Sequence, residues 1–142
     1  MLIRQANIND AEGIQKINKL ALGYDFSLSD TTTMLSNILC KPNDIIFVAD
    51  DKGIIAGYAH GSDYDCTYMM SLKNIMAIGV LEEYRGNGIG RLLINAIENW
   101  ARNDGCSGVR LISSLYRTEA HKFYLRCGYF DRKDQKNFMK IF

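Results

Sequence analysis

The sequence predicts a mixed α/β protein whose central sheet, of about six to seven strands, is covered by helices on both faces. Three observations carry that prediction. Leu92, Leu93, Ala96, Ile97, Trp100 and Ala101 recur at i, i+3, i+4 and i+7, which gathers them on one face of a helix. β-rich runs alternate with helical segments in the order strand, two helices, three strands, helix, strand, helix, two strands. With 142 residues and 47% hydrophobic content, the chain fits a single domain, 1–142, around one core.

Residues 2–6 read as the first strand, and Asn9 or Asp10 can cap a helix carrying Ala11, Ile14, Ile17 and Ala21 before Gly23 ends it. A polar and aromatic connection, residues 24–29, leads to a second helix with Asp30 as its cap and Met34, Leu35, Ile38 and Leu39 on one side. Pro42 stops it, because the residue before a proline is pushed out of the helical region. Residues 45–49 and 54–60 form a hairpin about Asp50-Asp51-Lys52-Gly53, and after a polar loop a longer strand covers 72–80. Gly105 closes the long helix, 109–113 is a strand, Thr118 opens the last helix, and Gly128 stops it. Two final strands are expected at 129–131 and 137–141.

Lys and Arg number 17 against 16 Asp and Glu, a net charge of +1, so the composition encodes no general attraction to nucleic acid or to an anionic membrane. Any anion site is local. Cys40, Cys66, Cys106 and Cys127 are far apart, with no Cys-x-x-Cys pair and no nearby His, which argues against a metal or a redox dithiol. The first residues lack a signal pattern and no apolar run approaches the ~20 residues needed to span a bilayer, so a cytoplasmic protein is expected.

Arg85-Gly86-Asn87-Gly88-Ile89-Gly90 lies between the strand ending at Val80 and the long helix. Glycines at that density mark a tight turn, or a place where backbone approaches a ligand that side chains would obstruct. A helix N-terminus presents unpaired N–H groups and about half a positive charge, so such a loop can hold phosphate, and Arg85 adds a formal charge. A dinucleotide fingerprint would need Gly where Arg91 stands, and a P-loop would need Lys-Ser/Thr at Arg91-Leu92. Neither fits.

Tyr84-Arg85-Gly86-Asn87-Gly88-Ile89-Gly90 resembles the Arg/Gln-x-x-Gly-x-Gly/Ala pyrophosphate loop of the GCN5-related N-acetyltransferase (GNAT) family. A second block, from Ser113 and Ser114 through Arg117, Ala120, His121, Phe123 and Tyr124 to Gly128 and Tyr129, is similar to that family's Ser…Arg-x-x-Ala-His-x-Phe-Tyr-x-x-x-Gly-Tyr segment at the family's distance. The resemblance is good from Leu72 onward, and before Ile45 it extends only to the order of elements.

The resemblance implies a mostly antiparallel sheet with the fourth and fifth strands splayed apart, and acetyl-CoA as co-substrate. It places Arg85, Gly86, Asn87, Gly88, Ile89 and Gly90 on the pyrophosphate, and the backbone of Ile78, Gly79 and Val80 on the pantetheine arm. An N–H near Gly79 or Val80 would polarise the thioester carbonyl. Ser113 or Ser114 would bind amides of the coenzyme, and Arg117 and His121, four apart on one helix face, would touch its phosphates or pantetheine or else sit on a solvated helix start. Tyr124 aligns with the tyrosine that gives a proton to the departing thiolate, although by periodicity alone it is a core aromatic.

Acetyl transfer also needs a base, and Met76 stands where many relatives carry a glutamate. Asp63, Tyr64, Asp65, Tyr68, Glu82 and Glu83 are the acids and phenols near that strand. Tyr24, Asp25 and Phe26, with Asp63, Tyr64 and Tyr68, are the candidate acceptor mouth, an acidic and aromatic surface suited to a cationic amine. The expected partner is a small-molecule primary amine, and pairing of edge strand 137–141 would support a homodimer. Acetylation of protein N-termini or lysines is the alternative activity, and a CoA-binding sensor without turnover the alternative class.

Overall fold

In the computed structural model, which describes residues 1–142, β1 (Leu2–Gln5) leads through a 3-10 turn at Ile8–Asp10 into α1 (Ala11–Leu20) and then α2 (Leu28–Leu39). Asp10 is the N-cap of α1 as expected, though its side chain serves the preceding 3-10 turn, and the cap of α2 is Ser27, three residues upstream of Asp30. Asn7 accepts from the N–H of Asn9 while Asp10 bonds back to the N–H of Asn7, and Ser27 accepts from the N–H of Asp30. Each side chain satisfies a helix-start donor that the helix cannot.

β2 (Asp44–Asp51) and β3 (Ile54–Cys66) form the expected hairpin; Lys52 and Gly53 both have positive φ, as its two-residue turn requires, and Asp50 accepts from the N–H of Gly53. β4 (Met69–Val80), α3 (Ile89–Asn103), β5 (Gly108–Leu111) and α4 (Thr118–Arg126) follow. The polar loop expected before β4 is absent. β3 runs on to Cys66 and turns directly into β4, pairing Ser62 with Asn74 and Tyr64 with Leu72, so side chains that read as solvated loop form cross-strand pairs.

The chain divides into two compact units, Met1–Ile112 and Ser113–Phe142. The first holds one sheet in the order β1-β2-β3-β4-β5, antiparallel except for the parallel β4–β5 pair. Its two faces are covered by different helices. A Cβ on Gly79 would meet Ile17 and Leu22, whereas one on Gly61 would meet Ile97 and Trp100, so α1 lies on one face and α3 on the other. Ile14, Ile17, Leu35, Ile46, Val48, Tyr58 and Leu81 fill the α1–α2 side. Leu93, Ile94 and Ile97 are fully buried on α3.

Two charged groups are buried and both are paired, as burial demands. Asp10 takes two hydrogen bonds from Arg4, at 2.8 and 2.9 Å. Lys73 reaches Asp63 at 2.5 Å and Asp104 at 2.7 Å, with its ammonium 3.9 Å from the centre of the Trp100 ring.

The sheet has five strands, not six to seven. Residues 129–142, expected to supply two more, form no strand, and Phe130, Phe138 and Ile141 are 78%, 86% and 83% exposed. Strand-forming side chains record a fit to a pleated surface rather than the presence of one, and here no ladder partner meets them. The edge strand expected to support a homodimer is therefore missing.

Candidate active site

β4 and β5 pair only from Leu72–Gly108 to Ile75–Leu111. Beyond Ile75, β4 continues to Val80 with no strand paired on that side, so the edge over residues 76–80 has no ladder partner there, and the Val80 carbonyl is taken by Arg85. β5 itself ends at Leu111, so the pairing stops where that strand does. On its other side β4 stays paired to β3, but the register jumps from His60–Ala77 to Gly61–Ile75, so Met76 is the extra residue of a β-bulge. Gly79 sits where α1 comes closest; a methyl there would stand 2.9 Å from Ile17.

The glycine loop follows directly. Gly86 and Gly88 have φ of +80° and +79°, a conformation that other L-residues adopt only at a cost, and the space around both is open. Gly88 is the N-cap of α3 and has no side chain with which to occupy the first-turn N–H groups. Those donors therefore face outward with the positive end of the helix dipole behind them. Arg85 is exposed and its Nε donates to the carbonyl of Val80 at 3.2 Å, tying the loop to the end of β4. Asn87 donates to the carbonyl of Tyr84, and Tyr84 to Asp51, which raises the Tyr84 phenol above its ordinary value. Ile89 is buried and anchors the helix start, while Gly90 is half-buried.

On the α1 side of the sheet, Tyr58 bonds Asn18 and is strongly raised, first by burial and then by the nearby Tyr24 phenol. Tyr24, Asp25 and Phe26 are exposed in the connection from α1 to α2, with the carbonyl of Phe26 accepting from Gln15. The remaining candidates divide between the faces. Asp63 lies on the α3 face, bonded to Lys73. Tyr64 lies on the opposite face with the Arg110 guanidinium 4.3 Å from its ring centre, and Arg110 also donates to Asn74 at 2.6 Å. Asp65 accepts from Ser71, Tyr68 is 78% exposed in the β3–β4 turn, and Glu82 and Glu83 are exposed in the turn after β4. Met76 is exposed at the bulge.

In the second unit, the Ser113 hydroxyl is buried with no hydrogen-bond partner, as is that of Thr31 in the first. His121 donates Nε2–H to the carbonyl of Ser114 at 3.0 Å, which ties its ring to the start of its own helix. Arg117 packs its guanidinium 5.4 Å from the Tyr116 ring. Tyr124 is half-buried between Phe123 and Tyr129, with ring centres 5.5 and 6.3 Å away. Burial raises its phenol above the ordinary value, Arg117 works against that rise and Cys127 adds to it. The hydroxyl therefore keeps its proton at neutral pH.

Residues 12–129 match the profile of the acetyltransferase (GNAT) family. The chain belongs to that family. It is 30% identical to an uncharacterised N-acetyltransferase of Methanocaldococcus jannaschii, covering 94% of this chain and 80% of the relative. It is 32% identical to an aminoglycoside N(6')-acetyltransferase type 1 of Stenotrophomonas maltophilia, over 89% of this chain and 84% of that one. Among solved structures, aminoglycoside N-acetyltransferase AAC(6')-Iy in complex with CoA superposes with a TM-score of 0.86 at 24% identity, over 98% and 93% of the two chains. This GNAT protein is thus an N-acetyltransferase by family, and its parallel β4–β5 pair with helices on both sides of the sheet is the architecture those structures share.

Two arrangements in this GNAT chain have little local signature in its sequence. One is the Arg110–Asn74–Tyr64 group; the other is the contact between His60 and Asp44, whose Nε2 and Oδ2 are 2.7 Å apart. The available signal for the second was a histidine within an otherwise apolar β run. Asp44 precedes the expected strand 45–49, so its proximity emerges only from the β2–β3 register.

Proposed function

We propose that this protein transfers the acetyl group of acetyl-CoA to a primary amine of a small molecule by direct attack of the amine on the thioester. The observation that carries the proposal is the juxtaposition of the uncapped α3 N-terminus, entered through Gly86 and Gly88, with the unpaired β4 edge at 76–80. An anion-binding helix start beside a strand edge with no ladder partner suits a pyrophosphate joined to an amide-bearing arm. Accordingly Arg85 to Gly90 would hold the pyrophosphate and Ile78, Gly79 and Val80 the pantetheine amides.

Acetyl-CoA supplies an activated acyl carbon. The chain supplies a backbone N–H near Gly79 or Val80 to the carbonyl oxygen and a proton from Tyr124 to the departing thiolate. Arg117 opposes, without cancelling, the effect of burial on that phenol. A small-molecule acceptor is supported by the aminoglycoside acetyltransferase relative. The family match spans the boundary between the two compact units, which supports a single functional domain. No helix is long and apolar enough to cross a membrane.

The test is thiol release from acetyl-CoA across a panel of small amines and peptides, run beside a direct measurement of acetyl-CoA binding. Turnover with small amines and none with peptides is expected. Binding without thiol release on every acceptor would overturn the proposal.

A further inference from the structure

His60, in β3, and Asp44, at the start of β2, are joined at 2.7 Å with side chains only 13% and 16% exposed. A carboxylate at that distance accepts Nε2–H, which leaves the lone pair of the neutral ring on Nδ1. Nδ1 makes no hydrogen bond to protein and is not sealed from solvent. The pair is thus a proton acceptor held in one orientation, with Nδ1 the ring nitrogen left for a ligand.

Its position matters as much. His60 lies directly opposite Ala77 across the ladder, and the next pair, Gly61–Ile75, makes Met76 the bulged residue at the same level. Opposed side chains in such a ladder begin roughly 5 Å apart. His60 shares a face with Tyr58, two residues along β3, which bonds Asn18 of α1 and lies opposite Gly79. That is the α1 face of the sheet, beside the β4 segment whose backbone was assigned to the thioester.

We infer, on the basis of the acetyl transfer proposed above, that His60 is the general base that deprotonates the acceptor amine and that Asp44 is the residue positioning it. The acceptor ammonium gives one proton to Nδ1. Its freed lone pair forms the C–N bond to the thioester carbonyl carbon, and the C–S bond breaks with its electron pair leaving on sulfur. The sulfur takes a proton from Tyr124, which recovers one from the substrate nitrogen, and the imidazolium returns its own to solvent. An ammonium and an acetyl thioester become an amide, a thiol and one proton. Met76 cannot serve, having no basic group, and the histidine beside it supplies what that position lacks.

The charged and titratable groups on this face are Asp44 from β2, Tyr58 along β3, Tyr24 after α1, and Arg110 from β5, which Asn74 and Tyr64 hold. Cys40 and Lys41 lie in the connection leading to Asp44, and Lys73 and Asp63 are on the other face.

The test compares wild type with His60→Gln and Asp44→Asn in acetyl-CoA affinity and in kcat/KM for an accepted alkylamine between about pH 6 and about pH 10. Both variants should bind acetyl-CoA as wild type does. His60→Gln should lose roughly 10²- to 10⁴-fold in kcat/KM near neutral pH. The deficit should close toward pH ~10, where the amine supplies its own neutral form. Asp44→Asn should show a smaller deficit that closes in the same way. Near-wild-type activity of His60→Gln at neutral pH, or a deficit of one size at every pH, overturns the assignment. Should His60→Gln lose acetyl-CoA binding through misfolding, the pH dependence of Asp44→Asn decides by the same criterion. Wild-type binding without thiol release would sink the transferase proposal itself, and this one with it.

Discussion

Tyr124 and Asp10 show how surroundings set the behaviour of single titratable groups. Burial lifts the Tyr124 phenol above its usual value, so it stays protonated across the neutral range, as the proposed role of donor to the thiolate requires. Tyr124→Phe removes that donor while keeping the ring, and should lower kcat by roughly 10²-fold or more with acetyl-CoA affinity unchanged, as read by steady-state kinetics beside calorimetric binding. Asp10 behaves in the opposite sense. Burial alone would raise its carboxyl, but hydrogen bonds from Arg4 and from the N–H of Asn7 bring it below the ordinary 3.8. Its contribution to stability is therefore fully present above that ordinary value and lost as pH falls through the lower folded one. Asp10→Asn should cost about 2 kcal/mol near neutral pH, and the difference from wild type should vanish in strong acid. Urea midpoints measured against pH would check both halves of that expectation.

At the scale of elements, the β3–β4 pair and the start of α3 leave little room for change. A methyl on Gly57 would stand 2.8 Å from the carbonyl oxygen of Gly79, which is backbone and cannot rotate away. Gly57→Ala should therefore destabilise by about 1–3 kcal/mol, seen as a lower denaturation midpoint. Gly88 is constrained differently, by its positive φ rather than by neighbours. Asn and Asp both tolerate that conformation better than other residues and differ in charge. Gly88→Asp should weaken acetyl-CoA binding well beyond Gly88→Asn, because its carboxylate would meet the pyrophosphate at the helix start. Equal affinities in a titration would remove the pyrophosphate from this loop.

Across the whole molecule, the sheet is held by charges as well as by apolar packing. Burial works to lower the Lys73 ammonium, yet hydrogen bonds to Asp104 and Asp63 raise it above 10.5, linking β4 to β3 and to the end of α3. A raised lysine contributes stability that is complete below the ordinary value and lost as pH rises through the folded one. Wild type should therefore lose stability in strong alkali, and Lys73→Met should lose much less over the same interval, as followed by thermal melts.

Local rules carried the central elements. The i, i+3, i+4 spacing set α3 because one apolar face must be buried, and Asp50-Asp51-Lys52-Gly53 marked the β2–β3 turn because Gly53 accepts positive φ without cost. The glycine loop was legible for the same reason, since its chemistry is that of a backbone and a helix end, both fixed within a few residues. Misreadings came where partners are distant in sequence. Ser62 and Tyr64 looked like loop until Asn74 and Leu72 paired with them, and residues 137–141 looked like a strand although no neighbour receives them.

Sequence alone therefore determined the order of the central elements and the glycine-rich turn into α3, which follow from short-range spacing, and its motif blocks carried the resemblance to the family. Tertiary structure alone decided the number of strands, the bulge at Met76, and the contact between Asp44 and His60, because each depends on strand register. A one-residue change in register moves a side chain to the opposite face of the sheet, and no local pattern in this chain specifies which face His60 takes.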